Sequence, residues 1–302
     1  SENINQLTAP NYDGFPLDLY LSPEPVLPVQ FSRGCYYKDC AFCALTLDHQ
    51  NFRQRDPGKT VDDLVWLKER YGAQSFFFTD ECFALSPTKR LCQQMIDRQV
   101  NVKWTCELRF EKNLTRELLG QMRDAGCLKI VFGLESFNQR VMDFMKKGIK
   151  QESVRRIVDD CVDLGIAVHC YVIVGFPTEK EEEALDTMNF VVGNKKLHES
   201  YGFSCQPCLF DLEKEAPIMS DPGSYGIRRI MRPATEDLSL GFFYEVQEGM
   251  TPAQAEQLYQ QVYEKISEVV CELPFNYSMA DGLLYIARAK SQALQVPQPT
   301  GS

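Results

Sequence analysis

The sequence predicts an α/β fold built from parallel βα units, on three observations. Short runs rich in β-branched and aromatic residues recur through the first 210 residues, at 26–32, 75–79, 102–106, 129–133, 167–174 and 203–209. Between them lie stretches with helical apolar spacing, at 61–70, 87–98, 115–125, 153–164 and 179–192. Gly72, Gly126 and Gly165 stand just past three of these helices, where a left-handed C-cap residue belongs. Strands alternating with helices of this length read as βαβ units. Six units are too few for a closed eight-stranded barrel of about 250 residues. The pattern alone leaves an open six-stranded barrel and a doubly wound sheet standing. Either gathers its chemistry at the C-terminal ends of the strands.

Taken in order, residues 1–25 form an extended lead-in punctuated by Pro10, Gly14, Pro16, Pro23 and Pro25. Residues 26–210 hold the six units, with Thr60, Ser86 and Thr115 placed as N-caps. The acidic run Glu179-Lys-Glu-Glu-Glu183 opens a helix, where negative charge suits the dipole. Residues 211–302 form an α-rich extension. Its main helix, 252–271, carries an apolar stripe of Ala255, Leu258, Val262, Ile266 and Val269, and a short helix follows at 280–289. Such a stripe must pack on something, and the open side of an incomplete barrel is the expected partner.

The 302 residues are 44% hydrophobic and 25% charged, the balance of a folded, globular chain. The net charge of −10 argues against a protein whose work is gripping nucleic acid. No apolar run approaches the ~20 residues that cross a bilayer, and the first residues show no basic-then-apolar leader. Twelve cysteines without such a leader suggest free thiols in a reducing, cytoplasmic setting.

Three of those cysteines are set apart. Directly after the first strand comes Arg33-Gly-Cys35-Tyr-Tyr-Lys-Asp-Cys40-Ala-Phe-Cys43, three thiols spaced x4 then x2 on a loop at the chemical end of the pattern. A zinc knuckle wants four ligands and no paired Cys/His follows at the usual distance. Three thiolates suit an iron–sulfur cluster with one iron left open. The pair Cys205 and Cys208 on the last strand offers two thiols only, and a structural role is the favoured reading. A substrate-side hydrogen donor is the alternative, with Cys271 a further candidate. His169 lies in a buried strand and reads as a core histidine.

With these residues in order, residues 26–210 resemble the radical S-adenosylmethionine superfamily. The family's commonest cysteine spacing is C-x3-C-x2-C, so this loop carries one extra residue before Cys40. The resemblance implies a partial (βα)6 TIM-like barrel and a 4Fe–4S cluster on Cys35, Cys40 and Cys43. It places Phe42 against the adenine of S-adenosylmethionine and Asp80 and Glu81 at its amino group, though the family's glycines there are Thr79 and Asp80 here. Gly133-Leu-Glu135-Ser136 is similar to the segment that contacts the ribose or methionine end. Gly175 and Pro177, in Val172-Ile-Val-Gly-Phe-Pro-Thr-Glu179, match the pattern that shapes the adenine site. Arg109, and Arg53 and Arg55 beside the loop, are candidates to clamp a carboxylate.

The family's activity is reductive cleavage of S-adenosylmethionine, with an electron donor such as flavodoxin or ferredoxin. The first expectation is hydrogen abstraction from a peptide or other natural-product substrate. Residues 12–28 and Tyr244-Glu-Val-Gln-Glu-Gly249-Met resemble the branch associated with cobalamin-binding domains. The alternative is therefore cobalamin-dependent methyl transfer, although the Asp-x-His-x-x-Gly signature is absent from this sequence. A third reading is a non-catalytic metal-binding module.

Overall fold

The computed structural model describes residues 3–20, 24–45, 51–199, 203–232 and 241–269. Six parallel strands form the main sheet: β1 (Val26–Val29), β4 (Ser75–Phe78), β5 (Lys103–Leu108), β6 (Cys127–Glu135), β7 (Ala167–Val174) and β8 (Ser204–Leu209), adjacent in that order. Two short strands, β2 (Ser32–Arg33) and β3 (Arg53–Gln54), pair antiparallel at the two ends of the cysteine loop. This is the partial (βα)6 TIM-like arrangement expected from the sequence. The connecting helices are α1 (Pro57–Tyr71), α2 (Leu85–Asp97), α3 (Arg116–Asp124), α4 (Gln139–Phe144), α5 (Gln151–Asp163), α6 (Glu181–Gly193) and α7 (Lys195–Glu199).

The caps divide by chemistry. Thr115 holds its place, accepting from Leu118 N at 3.3 Å. The first helix starts four residues early because Asp56 accepts from Lys59 N and Pro57 fits the first turn, which puts Thr60 inside the helix. Ser86 lies within α2, whose cap is Ala84 with no side-chain bond. Gly126 takes φ +98°, and a Cβ there would stand 1.9 Å from the Val102 carbonyl oxygen, so only glycine lets β5 and β6 meet.

Strand parity separates two faces. Phe76, Phe78, Trp104, Cys106, Ile130, Phe132, Val168 and Cys170 pack with the helices in the main core. The alternate residues face the concave side, the lumen: Thr105 and Glu107 on β5, with Arg109 just past its end, Lys129 and Glu135 on β6, His169 and Tyr171 on β7. On β8 the same side carries Ser204, Gln206 and Cys208, the last two exposed. A polar lumen beside an apolar outer face is what a ligand-holding barrel requires.

The extension contains more strand than its periodicity suggests. β9 (Leu212–Glu213), β10 (Ile227–Met231) and β11 (Gly241–Val246) form a three-stranded antiparallel sheet ahead of α8 (Pro252–Val269). The stripe of α8 is as expected: Ala255, Leu258, Val262 and Ile266 are all buried in the main core, against α6, β7 and β8. The helix thus stands in the outer layer, as the sixth helix of a (βα)6 unit would. The small sheet instead meets the strands' C-terminal end, where Leu212, Ile218, Tyr225 and Tyr244 pack with Ala41, Val141, Met145 and Phe176. Cys271 and residues 280–289 lie outside the described residues. Among those described, no helix is long and apolar enough to cross a membrane.

Candidate active site

The cysteine loop is fixed from both sides through one residue. Ala41 N donates to Met145 O at 2.9 Å, and Ala41 O accepts from Ile218 N at 2.8 Å. Cys40 between these anchors is 8% exposed, while Cys35 and Cys43 are half-buried. Among the described residues no three His, Cys, Asp or Glu side chains crowd closely enough to hold a single metal ion.

Electrostatics at the loop fit that donor set. Cys35 is drawn down to about 5 by a hydrogen bond with the Cys82 thiol, aided by the Lys38 and Tyr37 amides and Arg109. Burial pushes Cys43 up to about 11. It raises Cys40 too, against the opposing pull of Lys147 and Arg109. Buried thiols of this kind become thiolates when positive charge is brought to them, and a cluster's irons supply it.

Two cations sit beneath the loop. Arg109, 5% exposed, donates to Cys40 Sγ at 3.7 Å and lies 3.5 Å from the Tyr37 ring centroid. It also donates to the Lys147 carbonyl and lies 3.4 Å from Glu111 Oε1, so its guanidinium braces the ground beneath the loop. Lys147, 6% exposed, pairs with Glu135 at 2.8 Å and stands 5.6 Å over the Phe42 ring. Room for that pair comes from Gly133, where a Cβ would sit 2.4 Å from Glu135 Oε1 and 2.7 Å from Lys147 Nζ. Glu135 itself takes φ +63°, which turns its side chain back over β6.

The other expected residues sort by what they touch. Asp80 is 2% exposed and accepts from Phe31 N at 3.0 Å, Ser32 Oγ at 2.6 Å and Ser32 N. Both oxygens tie the ends of β1 and β4 together, which gives Asp80 a structural task at the strand ends. Burial raises its carboxyl to about 7. Glu81 accepts from Gly34 N at 2.9 Å and secures the start of the cysteine loop. Ser136 is fully buried on the helix side, sharing its hydroxyl with Asn138 N and Thr187 Oγ1, away from the lumen. Gly175 keeps the expected turn: φ is +86°, its N–H donates to Glu179 Oε2 at 2.7 Å, and Pro177 is buried beside it. Arg55 is consumed by Ile4 O, Leu7 O and Asp63, and so anchors the lead-in.

Cys205 is also corrected as a hydrogen donor. It lies on the outer face of β8 against the core, whereas Cys208, of opposite parity, is exposed on the lumen side with Sγ 3.3 Å from Val172 O. Glu107, not anticipated from the sequence, faces the lumen from β5. Burial, then the charges of Glu135 and Glu81, push its carboxyl up to about 7. Lys147 also went unseen, because nothing in Met145-Lys-Lys-Gly148 distinguishes a buried lysine from a solvated one.

Residues 29–191 match the Radical SAM superfamily. An uncharacterized methyltransferase of Pyrococcus horikoshii is 28% identical over 204 residues, 66% of this chain and 43% of that protein. The anaerobic magnesium-protoporphyrin IX monomethyl ester cyclase of Rubrivivax gelatinosus is 30% identical over 160 residues, 52% of this chain and 29% of its own length. The chain thus spans less than half of either relative. In fold, it is similar to TsrM from Kitasatospora setae, a radical S-adenosylmethionine methyltransferase solved with cobalamin and an iron–sulfur cluster. The TM-score is 0.62 at 15% identity, over 90% of this chain and 62% of that one.

Proposed function

The chain belongs to the radical SAM superfamily, and from that premise we propose that it serves cobalamin-assisted methyl transfer to a carbon of a small molecule. The observation that carries an S-adenosylmethionine chemistry here is the loop of three thiols, braced by Arg109 and Lys147 at the mouth of a polar lumen. Cys35, Cys40 and Cys43 would hold a 4Fe–4S cluster, which when bound supplies the electron that cleaves the carbon–sulfur bond of the sulfonium. Phe42, Glu135 and the Gly175–Pro177 turn line the same end and would seat the nucleotide. Their part is orientation and exclusion of water, because a reactive carbon species is only as selective as its positioning. Methyl transfer is supported by the Pyrococcus horikoshii relative's name and the shared fold with TsrM. With no Asp-x-His-x-x-Gly signature in this sequence, cobalamin would be held by another domain or partner.

A second reading, hydrogen abstraction from a peptide or natural product, is favoured by one observation. The Cys208 thiol is exposed in the lumen, where it could return a hydrogen atom to a substrate radical.

The test is anaerobic reconstitution with iron and sulfide, then incubation with S-adenosylmethionine and dithionite, with and without a cobalamin-loaded binding domain supplied in trans. Deoxyadenosine formation that vanishes in Cys35→Ala/Cys40→Ala/Cys43→Ala is expected, and with the loaded domain present a cobalamin spectral change and S-adenosylhomocysteine are expected too. Deoxyadenosine without either cobalamin effect when that domain is present moves the assignment to hydrogen abstraction. A triple variant that keeps its iron overturns both.

A further inference from the structure

Toward the start of the strands, about 20 Å below the cluster loop at ~3.3 Å per residue, the lumen carries a cation with no counter-charge. Lys129 is 3% exposed, and among the described residues no carboxylate pairs with it. Its one hydrogen bond there reaches across the small Ala167 to Ser204 Oγ at 3.3 Å. Ser204 Oγ is also 2.7 Å from His169 Nδ1.

The proton positions follow from these contacts. An ammonium only donates, so Ser204 Oγ accepts from Lys129. The hydroxyl's own proton has no other acceptor among the described residues and goes to His169 Nδ1. The imidazole proton is then on Nε2, an atom that is buried and makes no hydrogen bond. Thr105 Oγ1 is buried and unpartnered too, and β5 places Thr105 beside Lys129 in register. The lumen floor therefore presents two spare ammonium N–H groups, an imidazole N–H and a hydroxyl, with one positive charge and no acceptor to balance them. Leaving such groups unmet is expensive, and a native structure keeps them for a ligand or a reason. Next to this cluster β8 is the least covered strand of the sheet, with Gln206 and Cys208 exposed and Ser204 partly buried.

We propose that Lys129, His169 and Thr105 form a subsite for an oxyanion, the carboxylate or phosphoryl group of an elongated substrate whose other end reaches the cluster loop. This rests on the reading above that the lumen receives the substrate, and it deepens that reading by naming the substrate's charge.

Acetate, inorganic phosphate and chloride serve as probes, titrated against the reconstituted chain at constant ionic strength with thermal unfolding as the readout. A rise of about 2–5 °C near ten times the dissociation constant is expected for acetate, phosphate or both. Which of them acts identifies the group. Lys129→Met should abolish the response and raise the baseline melting temperature, since it removes an uncompensated buried charge. Thr105→Val, which keeps the shape, should weaken binding about 3–10-fold, the loss of one hydrogen bond. An equal response to chloride, or a response that survives Lys129→Met, overturns the proposal. So does a wild type that answers to no anion. Because unfolding needs no turnover, absence of deoxyadenosine in a parallel assay counts against the enzymatic reading alone.

Discussion

Replacing Lys147 by methionine isolates the buried pair beneath the cluster loop. The two side chains are 8% and 10% exposed and 2.8 Å apart, and methionine fills much the same volume as the lysine stem. The change strands the Glu135 carboxylate in a site without water. Losing one partner of a buried pair costs about 3–5 kcal/mol in general. Urea unfolding followed by circular dichroism at pH 7 should therefore show Lys147→Met destabilised by about 3–5 kcal/mol. The double variant Glu135→Gln/Lys147→Met should regain most of the loss, because the amide leaves no uncompensated charge. A single variant as stable as the wild type, or a loss with no recovery in the double variant, would refute the reasoning and assign the effect to packing.

Two further outcomes follow from neighbouring geometry. Glu107 carries a carboxyl raised to about 7 by burial, so the folded state binds its proton more tightly than the unfolded chain. Stability should fall as pH rises from about 4.5 to 7, and Glu107→Gln should flatten that fall by about 1–2 kcal/mol after discounting for its partial exposure; parallel wild-type and variant curves would sink the assignment. Gly148 takes φ +67°, and a Cβ there would meet Tyr37 Oη at 2.1 Å. Gly148→Ala should lower stability by about 1–3 kcal/mol and reduce iron uptake by displacing Tyr37 from Arg109, whereas an unchanged melt would show that the ring yields freely.

How much was legible follows from the range of the interactions. All six strands and the cysteine loop could be found because each is signalled within a few residues, by β-branched runs or by spacing. Faces were harder. Cys205 and Cys208 have opposite parity on one strand, so only one can see the lumen, yet the sequence does not say which until neighbours are paired in register. Asp80 looked like a ligand-binding carboxylate because its partners, Phe31 and Ser32, are nearly fifty residues away in sequence. Ser136 failed for the same reason, its partner Thr187 arriving from α6. Lys147 had no signal at all, since its burial is a property of Gly133 and Phe42 and not of its own surroundings in the chain.

Ala41 sets an order of events in the cell. The loop that presents the three thiols leaves the ribosome ahead of its anchors, Met145 and Ile218, which come about 100 and about 180 residues later. At roughly 5–20 residues per second, the second anchor follows the loop by about 10–35 s. During that interval the thiols are on an unbraced, solvent-exposed segment, open to oxidation and to stray metal ions. Maturation that loads iron into a finished loop must therefore act after residue 218 has emerged and docked. A chain halted before residue 218 would offer the same cysteines without the half of the brace that the extension supplies.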